Sequence, residues 1–186
     1  MDCPNCHTPK LKQKEIEPGL NSYFCSSCEG LWLRGEDYFA WNDETSKKYN
    51  PPTNVEDTNV SLPVIDSKSA KLCPSCQRIL TKYKAHSELG FYLEHCNTCR
   101  SMWFDRNEWE NMKQKNLEHQ VHLIATKKWQ KDINLAATKA HFETKYIEQF
   151  GEENYQKLCE IRSLLKDHPA GKNMLSFLSD DDPYVP

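Results

Sequence analysis

The sequence predicts a small α+β protein, with two four-cysteine β-hairpin modules in tandem followed by an α-helical C-terminal region. Three observations carry this expectation. Eight of the nine cysteines fall into four C-x-x-C pairs. Those pairs sit in two copies of one internal repeat. Beyond the second copy, apolar residues recur at helical spacing.

The cysteine spacing points to a metal. Eighteen residues separate Cys6 from Cys25, and nineteen separate Cys76 from Cys96. Two C-x2-C pairs about 15–20 residues apart are the spacing of a zinc ribbon. Each C-x-x-C turn presents two thiolates on one side, and two such turns complete a tetrahedron around Zn²⁺. No Asp or Glu occupies a ligand position, so the soft all-thiolate set selects zinc over hard cations. The expected ligands are Cys3, Cys6, Cys25 and Cys28 for one ion and Cys73, Cys76, Cys96 and Cys99 for another, giving two Zn²⁺ per chain. Four disulfides would need an oxidising compartment, and no secretory signal is visible. A thioredoxin-like pair belongs near a βαβ pattern, which is absent. An iron–sulfur cluster also accepts four cysteines, and the spacing favours zinc over it. The ninth cysteine, Cys159, is expected as a small buried hydrophobe on a helix.

The repeat extends beyond the ligands. Pro4 and Pro74 each follow a first cysteine, and Trp32 and Trp103 each lie four residues after a last one. Leu33 and Phe104 come next, then polar, acidic residues (Glu36 and Asp37; Asn107 and Glu108) that suit a helix N-terminus. In the first copy, Leu11 to Glu17 and Asn21 to Cys25 flank Pro18-Gly19 and read as a hairpin. Ile79 to His86 and Phe91 to His95 flank Leu89-Gly90 in the same way. A lone hairpin has too little apolar surface to fold without a lid and a metal. Trp32 and Trp103 are the expected lids.

The pattern C-P-x-C, a leucine a few residues on, a hairpin, then C-x-x-C-x-G-x-W with an acidic residue beyond resembles the TFIIB-type zinc-ribbon family, in two tandem copies. The resemblance covers about residues 1–41 and 71–112. The first copy follows it through Cys28-Glu29-Gly30-Leu31-Trp32, whereas the second has Ser101 in place of the glycine. It implies a four-cysteine zinc site and, loosely, contact with protein or nucleic acid; it does not imply catalysis.

The expected organisation is zinc ribbon 1 over 1–41, a flexible linker over 42–70, zinc ribbon 2 over 71–112 and a helical region over 105–186. The linker is polar and proline-containing, with one apolar run, Leu62-Pro63-Val64-Ile65, expected to cover a neighbouring patch. Its length makes the two ribbons separate folding units. Trp109, Met112, Leu117, Val121, Ile124, Ala136, Ala140 and Ile147 predict a long helix over about 105–150, stopped by Gly151. Helices over about 152–167 and 170–178 follow.

Composition bounds the function. The net charge of −3 over 186 residues excludes a highly basic nucleic-acid coat. No apolar run approaches the ~20 residues of a membrane span, and Cys3 lies too near Met1 for a signal peptide. A soluble, cytoplasmic protein without a membrane partner is expected. No catalytic or cofactor-binding motif beyond the metal sites is present, so an enzyme is not expected. His119 and His122 are read as surface histidines rather than a metal pair. The favoured role is a protein-binding adapter with a transcription link, its helices meeting a partner protein and the long helix also offering a homodimer surface. The alternative is a nucleic-acid-binding protein acting through Lys82, Lys84 and Arg100 of the basic second ribbon; the third is a thiol redox protein.

Overall fold

The computed structural model describes residues 1–7, 10–48, 62–64 and 69–184. The chain divides into two compact units, Met1–Leu135 and Ala136–Pro186.

In the first unit, β1 (Lys12–Glu17) and β2 (Leu20–Phe24) make a hairpin. Gly19 closes it at φ 81°, in the left-handed region that glycine occupies without steric cost. β3 (Leu31–Leu33) adds to β2. The second copy repeats this with β4 (Thr81–Lys84), β5 (Tyr92–His95) and β6 (Met102–Phe104). The copies then join, because β3 pairs antiparallel with β6 and yields one six-stranded sheet in the order β1-β2-β3-β6-β5-β4. The ribbons are therefore not the separate units that the linker length predicts. Each contributes one central strand, and neither sheet half has an inner edge of its own.

Register distributes the side chains. Gln13, Tyr23, Trp32, Trp103, Glu94 and Lys82 are direct partners in one row across all six strands. Direct partners share a face. The flanking rows, Phe24–Leu31–Phe104 and Leu33–Met102–His95, belong to the other face. Leu31, Leu33, Met102 and Phe104 are buried there with Leu20, Leu93, Tyr38, Trp41, Trp109 and Met112 in the larger core. Helices α1 (Gly35–Thr45) and α2 (Glu108–Gln114) cover it from equivalent positions, Tyr38 and Trp109 each lying six residues beyond the strand tryptophan. The Tyr38 hydroxyl donates to the Glu118 carbonyl at 3.0 Å, and the Trp109 indole N–H donates to Glu17 at 3.1 Å.

Of the linker, residues 42–48 belong to α1 and a 3₁₀ turn, Ser46–Lys48. The expected flexibility of 49–61 and 65–68 falls outside the described residues. Leu62 exchanges two hydrogen bonds with the Asn111 amide, at 2.9 and 3.0 Å, and Val64 packs on the larger core.

The long helix expected over 105–150 is three helices: α2, α3 (Val121–Ile124) and α4 (Lys127–Phe150). Asn116 breaks the first junction by taking φ 53°, a conformation Asn tolerates better than most residues. The Leu117 N–H turns back to the Met112 carbonyl at 3.0 Å. Thr126 opens α4, its hydroxyl accepting the Trp129 N–H at 3.3 Å as an N-cap. The two breaks let Leu117, Val121 and Ile124 turn into the core that a straight helix would leave. The first turns of α4 are then tied to β4 and its end: Trp129 donates to the Ala85 carbonyl, and the Gln130 amide bonds both the N–H and the carbonyl of Lys84.

In the second unit, α5 (Glu152–Asp167) and α6 (Gly171–Ser179) form an antiparallel hairpin, with the Gly171 N–H bonded to the His168 carbonyl. A Cβ at Gly171 would overlap the Leu165 carbonyl. α5 buries none of its residues, and Cys159 is exposed on it rather than buried as expected. A short helix in water lacks the packing that stabilises helices in proteins.

The row facing the cysteines holds one group that the sequence conceals. Lys71 is fully buried, and its ammonium donates to Glu94 at 2.6 Å and to Asp105 at 2.9 Å. Asp105 also accepts the Trp103 indole N–H at 2.7 Å, and Lys82 adds a second cation to Glu94 at 3.4 Å. Burial raises the Glu94 carboxyl above the usual carboxylate range, and the Lys71 ammonium counteracts it. Removing one partner of such a set leaves buried charge uncompensated. Lys71→Ala should therefore destabilise the first unit by about 3–5 kcal/mol without altering any metal ligand, whereas Lys12→Ala, on the exposed edge strand, should change stability by less than about 0.5 kcal/mol. Equilibrium denaturation of the metal-loaded variants measures both.

Candidate metal centre

Each C-x-x-C turn is built the same way. The residue after its second cysteine takes a left-handed conformation: His7 at φ 62°, Glu29 at 59°, Gln77 at 59° and Arg100 at 58°. Its N–H returns to the carbonyl of the first cysteine in every case, at 2.8 to 2.9 Å. The Cys6 and Cys76 N–H groups donate to the sulfurs of Cys3 and Cys73 at 3.3 Å. These turns aim the sulfurs inward on the tryptophan face of the sheet, one cysteine of each pair buried and the other half-buried.

Two groups result, Cys3 with Cys6, Cys25 and Cys28, and Cys73 with Cys76, Cys96 and Cys99, the sulfurs of each lying within 4.8 Å of one another. Individual separations are 3.6 Å for Cys3–Cys28, 3.6 Å for Cys73–Cys99 and 3.4 Å for Cys76–Cys96. Tetrahedral coordination at a Zn–S distance of ~2.3 Å requires sulfurs ~3.8 Å apart. The cages fit zinc, and the chain has two such four-thiolate sites. Four protein ligands fill the tetrahedron and leave no open position for substrate. Burial pushes the Cys3 and Cys73 thiols well above the ordinary range and Cys6 up to about 11. At Cys25 burial acts in the same direction but is outweighed by the Cys28 and Ser27 N–H groups, and its pKa falls. Loading zinc thus displaces held protons, and the binding free energy becomes folding free energy.

The two sites share one support. Trp32 and Trp103 are both fully buried and pack with Cys3, Cys25, Cys73, Cys96, Leu11 and Leu80 in a single cluster. Each crosses to the other ribbon. Trp32 donates its indole N–H to Ser75, inside the Cys73–Cys76 turn, at 3.3 Å. The Trp103 ring lies against Gly30, where any Cβ would overlap it. Gly30 is thus required for close approach rather than for its φ. Ser101, which takes its place in ribbon two, keeps the local turn: its carbonyl accepts the Cys96 N–H as Gly30 accepts that of Cys25. Its hydroxyl accepts the Gly35 N–H at the start of α1, at 3.0 Å. Arg106 pairs with Glu29 across the junction at 3.3 Å.

The other residues singled out in the sequence lie elsewhere. His119 stacks flat on Trp41, 4.7 Å between centroids, and bonds Asn42 at 2.8 Å. His122 meets the Tyr38 hydroxyl at 3.3 Å, and burial lowers its pKa below that of ordinary histidine. Both are half-buried packing groups rather than surface histidines, and neither joins a metal group among the described residues. Of the cations expected to meet phosphate, Lys82 is paired with Glu94, Arg100 lies 4.9 Å over the Phe39 ring, and Lys84 is half-buried on β4. The buried Lys71–Glu94–Asp105 set was not legible in the sequence, where nothing distinguishes Lys71 from a surface lysine.

Residues 72–115 match the family described as Transcription factor zinc-finger, the TFIIB-type zinc ribbon. The match spans ribbon two and α2; ribbon one carries the second cysteine group without a match of its own. No curated protein and no solved structure matches the chain. Fold and site together define a zinc-binding α+β protein with a TFIIB-type ribbon at 72–115.

The shared cluster makes the sites interdependent. Cys25→Ser should lower zinc retention at both sites, not only at the first, because Trp32 loses its seat between them. Native mass spectrometry under a stepped chelator challenge reads this directly, and a variant that keeps one zinc as firmly as the unmodified chain keeps two contradicts it. Gly30→Ala retains every ligand yet forces the Trp103 ring to move, and should cost about 1–3 kcal/mol in denaturation.

Proposed function

We propose that the protein is a non-enzymatic, zinc-stabilised adapter whose two ribbons, both of the TFIIB type, form one rigid platform and whose helical unit meets a partner protein. The observation that carries this reading is the aromatic column of α4. Phe142, Tyr146 and Phe150 stack at successive turns, 6.2 and 5.6 Å between centroids, and stay 37–48% exposed. Rigid aromatics presented in a row are the usual anchors of protein interfaces. The four-thiolate sites support a structural rather than a catalytic metal, since neither leaves a coordination position for substrate. The family matched by ribbon two supports a transcription-linked partner. No helix among the described residues is long and apolar enough to cross a membrane.

The nucleic-acid alternative draws less support. Lys71 is consumed by Glu94 and Asp105, and Lys82 shares Glu94, so ribbon two offers fewer unengaged cations than its composition implies. Replacing Lys82, Lys84 and Arg100 together by Ala should leave partner capture from cells within about threefold and zinc content unchanged. Phe142→Asp with Tyr146→Asp should reduce capture by at least about tenfold. Steep, salt-dependent DNA or RNA binding that only the triple variant abolishes reverses the assignment.

A further inference from the structure

We infer that the groove between α5 and α6 on the side of Leu158 and Leu175 is a docking site for a short amphipathic helix of a partner protein, one whose apolar stripe is flanked by carboxylates. The inference rests on the adapter reading and deepens it by naming the chemistry of a partner segment; the α4 column remains a separate anchor.

The α5–α6 seam has a groove on each side, and only one of them carries charge. The first is lined by apolar side chains and Asn173. The second has a floor of Leu158, Ile161, Leu165, Leu175 and Leu178, and its lining includes Arg162 and Lys166 from α5 and Lys172 from α6. No carboxylate lines it among the described residues. Helical geometry explains the segregation. At about 100° per residue, Arg162 and Lys166 lie roughly 40° and 80° around α5 from Leu158, while Glu160 and Asp167 lie roughly 200° and 180° from it, on the opposite face. Lys157 lies off the groove and pairs with Glu153 at 2.6 Å. The other acids, Glu152 and Asp180 to Asp182, gather at the open end of the hairpin. The cations are thus concentrated in one groove of a hairpin that is acidic as a whole.

Shape and charge together select the occupant. The groove has a volume of about 590 Å³ and is open to solvent, and Leu158, Leu175 and Leu178 remain 48–58% exposed in it. A small ligand needs most of its surface enclosed, and this groove does not enclose one. A third helix laid over the seam at the usual spacing of about 8–10 Å covers it, with apolar residues at i, i+3 and i+7 entering the floor. The three cations then meet carboxylates beside that stripe, and the acidic open end directs those carboxylates toward the turn. A cationic helix would set like charge against Arg162, Lys166 and Lys172. An anionic bilayer would meet the whole hairpin rather than one groove. Over Glu152 to Asp182 four bases stand against seven acids, a net negative charge that such a bilayer repels.

The test is fluorescence anisotropy with the zinc-loaded full chain and two labelled helical peptides of about fourteen residues, some ~21 Å long. Both carry leucine at i, i+3 and i+7; one has glutamate and the other lysine beside the stripe. The glutamate peptide should saturate below about 100 μM at low salt, and the lysine peptide should bind at least about tenfold more weakly. Lys166→Glu with Lys172→Glu should invert that order, an inversion that misfolding cannot imitate. Leu158→Asp with Leu175→Asp should abolish binding of both peptides while two zincs are retained. No saturation by the glutamate peptide up to about 1 mM overturns the inference. So does equal affinity for the two peptides, an order unchanged by the charge variant, or binding indifferent to the leucine variant. Phosphatidylserine vesicles that bind the chain and displace the glutamate peptide also overturn it, because the groove then belongs to a membrane surface. Partner capture through Phe142 and Tyr146 is read separately: capture without peptide binding overturns the groove alone, and peptide binding without capture overturns the adapter reading alone.

Discussion

The pairing of β3 with β6 is the constraint on which the first unit depends. Three residues from each copy meet there, and the middle partners are Trp32 and Trp103. Both indoles are fully buried in one cluster to which both ribbons contribute. Trp103 fills the space above Gly30, and Trp32 reaches the Cys73–Cys76 turn through Ser75. Neither ribbon can therefore bury its own tryptophan alone. The metal cages, the sheet junction and the smaller core are one physical object, and this converts two marginal hairpins into a single cooperative unit.

The two ribbons fill equivalent positions around the junction with different chemistry. Tyr23 and Glu94 occupy equivalent places in the central row, as do Arg34 and Asp105 two residues beyond the tryptophans. In ribbon one, Arg34 lies over the Tyr23 ring at 5.3 Å and bonds Asp37, in a half-buried arrangement. In ribbon two, the same positions hold carboxylates and need the Lys71 ammonium between them. A half-buried cation–aromatic contact tolerates substitution better than a fully buried three-charge set.

Much of the fold class was legible because its signals are local. The C-x-x-C spacing sets a tetrahedron, Pro18-Gly19 sets a turn, and the acidic residues beyond each tryptophan set a helix start. What joined the hairpins was not local. A strand of three residues has no periodicity to detect, and nothing in Leu31-Trp32-Leu33 announces that its partner lies in the other copy. The helix breaks were hidden for another reason: Leu117, Val121 and Ile124 keep helical spacing through Asn116, so the apolar pattern outweighed the single residue able to leave the helix. Cys159 was misplaced because helical spacing identifies a face but not what covers it.

That last point bears on the second unit as a whole. Amphipathic spacing in α5 and α6 predicts burial, and neither α5 nor, apart from Gly171, α6 buries a residue. Propensity alone holds a helix of this length only marginally in water. The first unit had the same difficulty on a smaller scale, with two tryptophans that no single hairpin could cover, and it is resolved there by a second copy of the motif within the chain. Among the described residues, α5 and α6 have no second copy of the hairpin to pair with. Apolar side chains of both stay 40–58% exposed on both sides of the α5–α6 seam, so the helical unit retains the demand that the joined ribbons answer in the sheet.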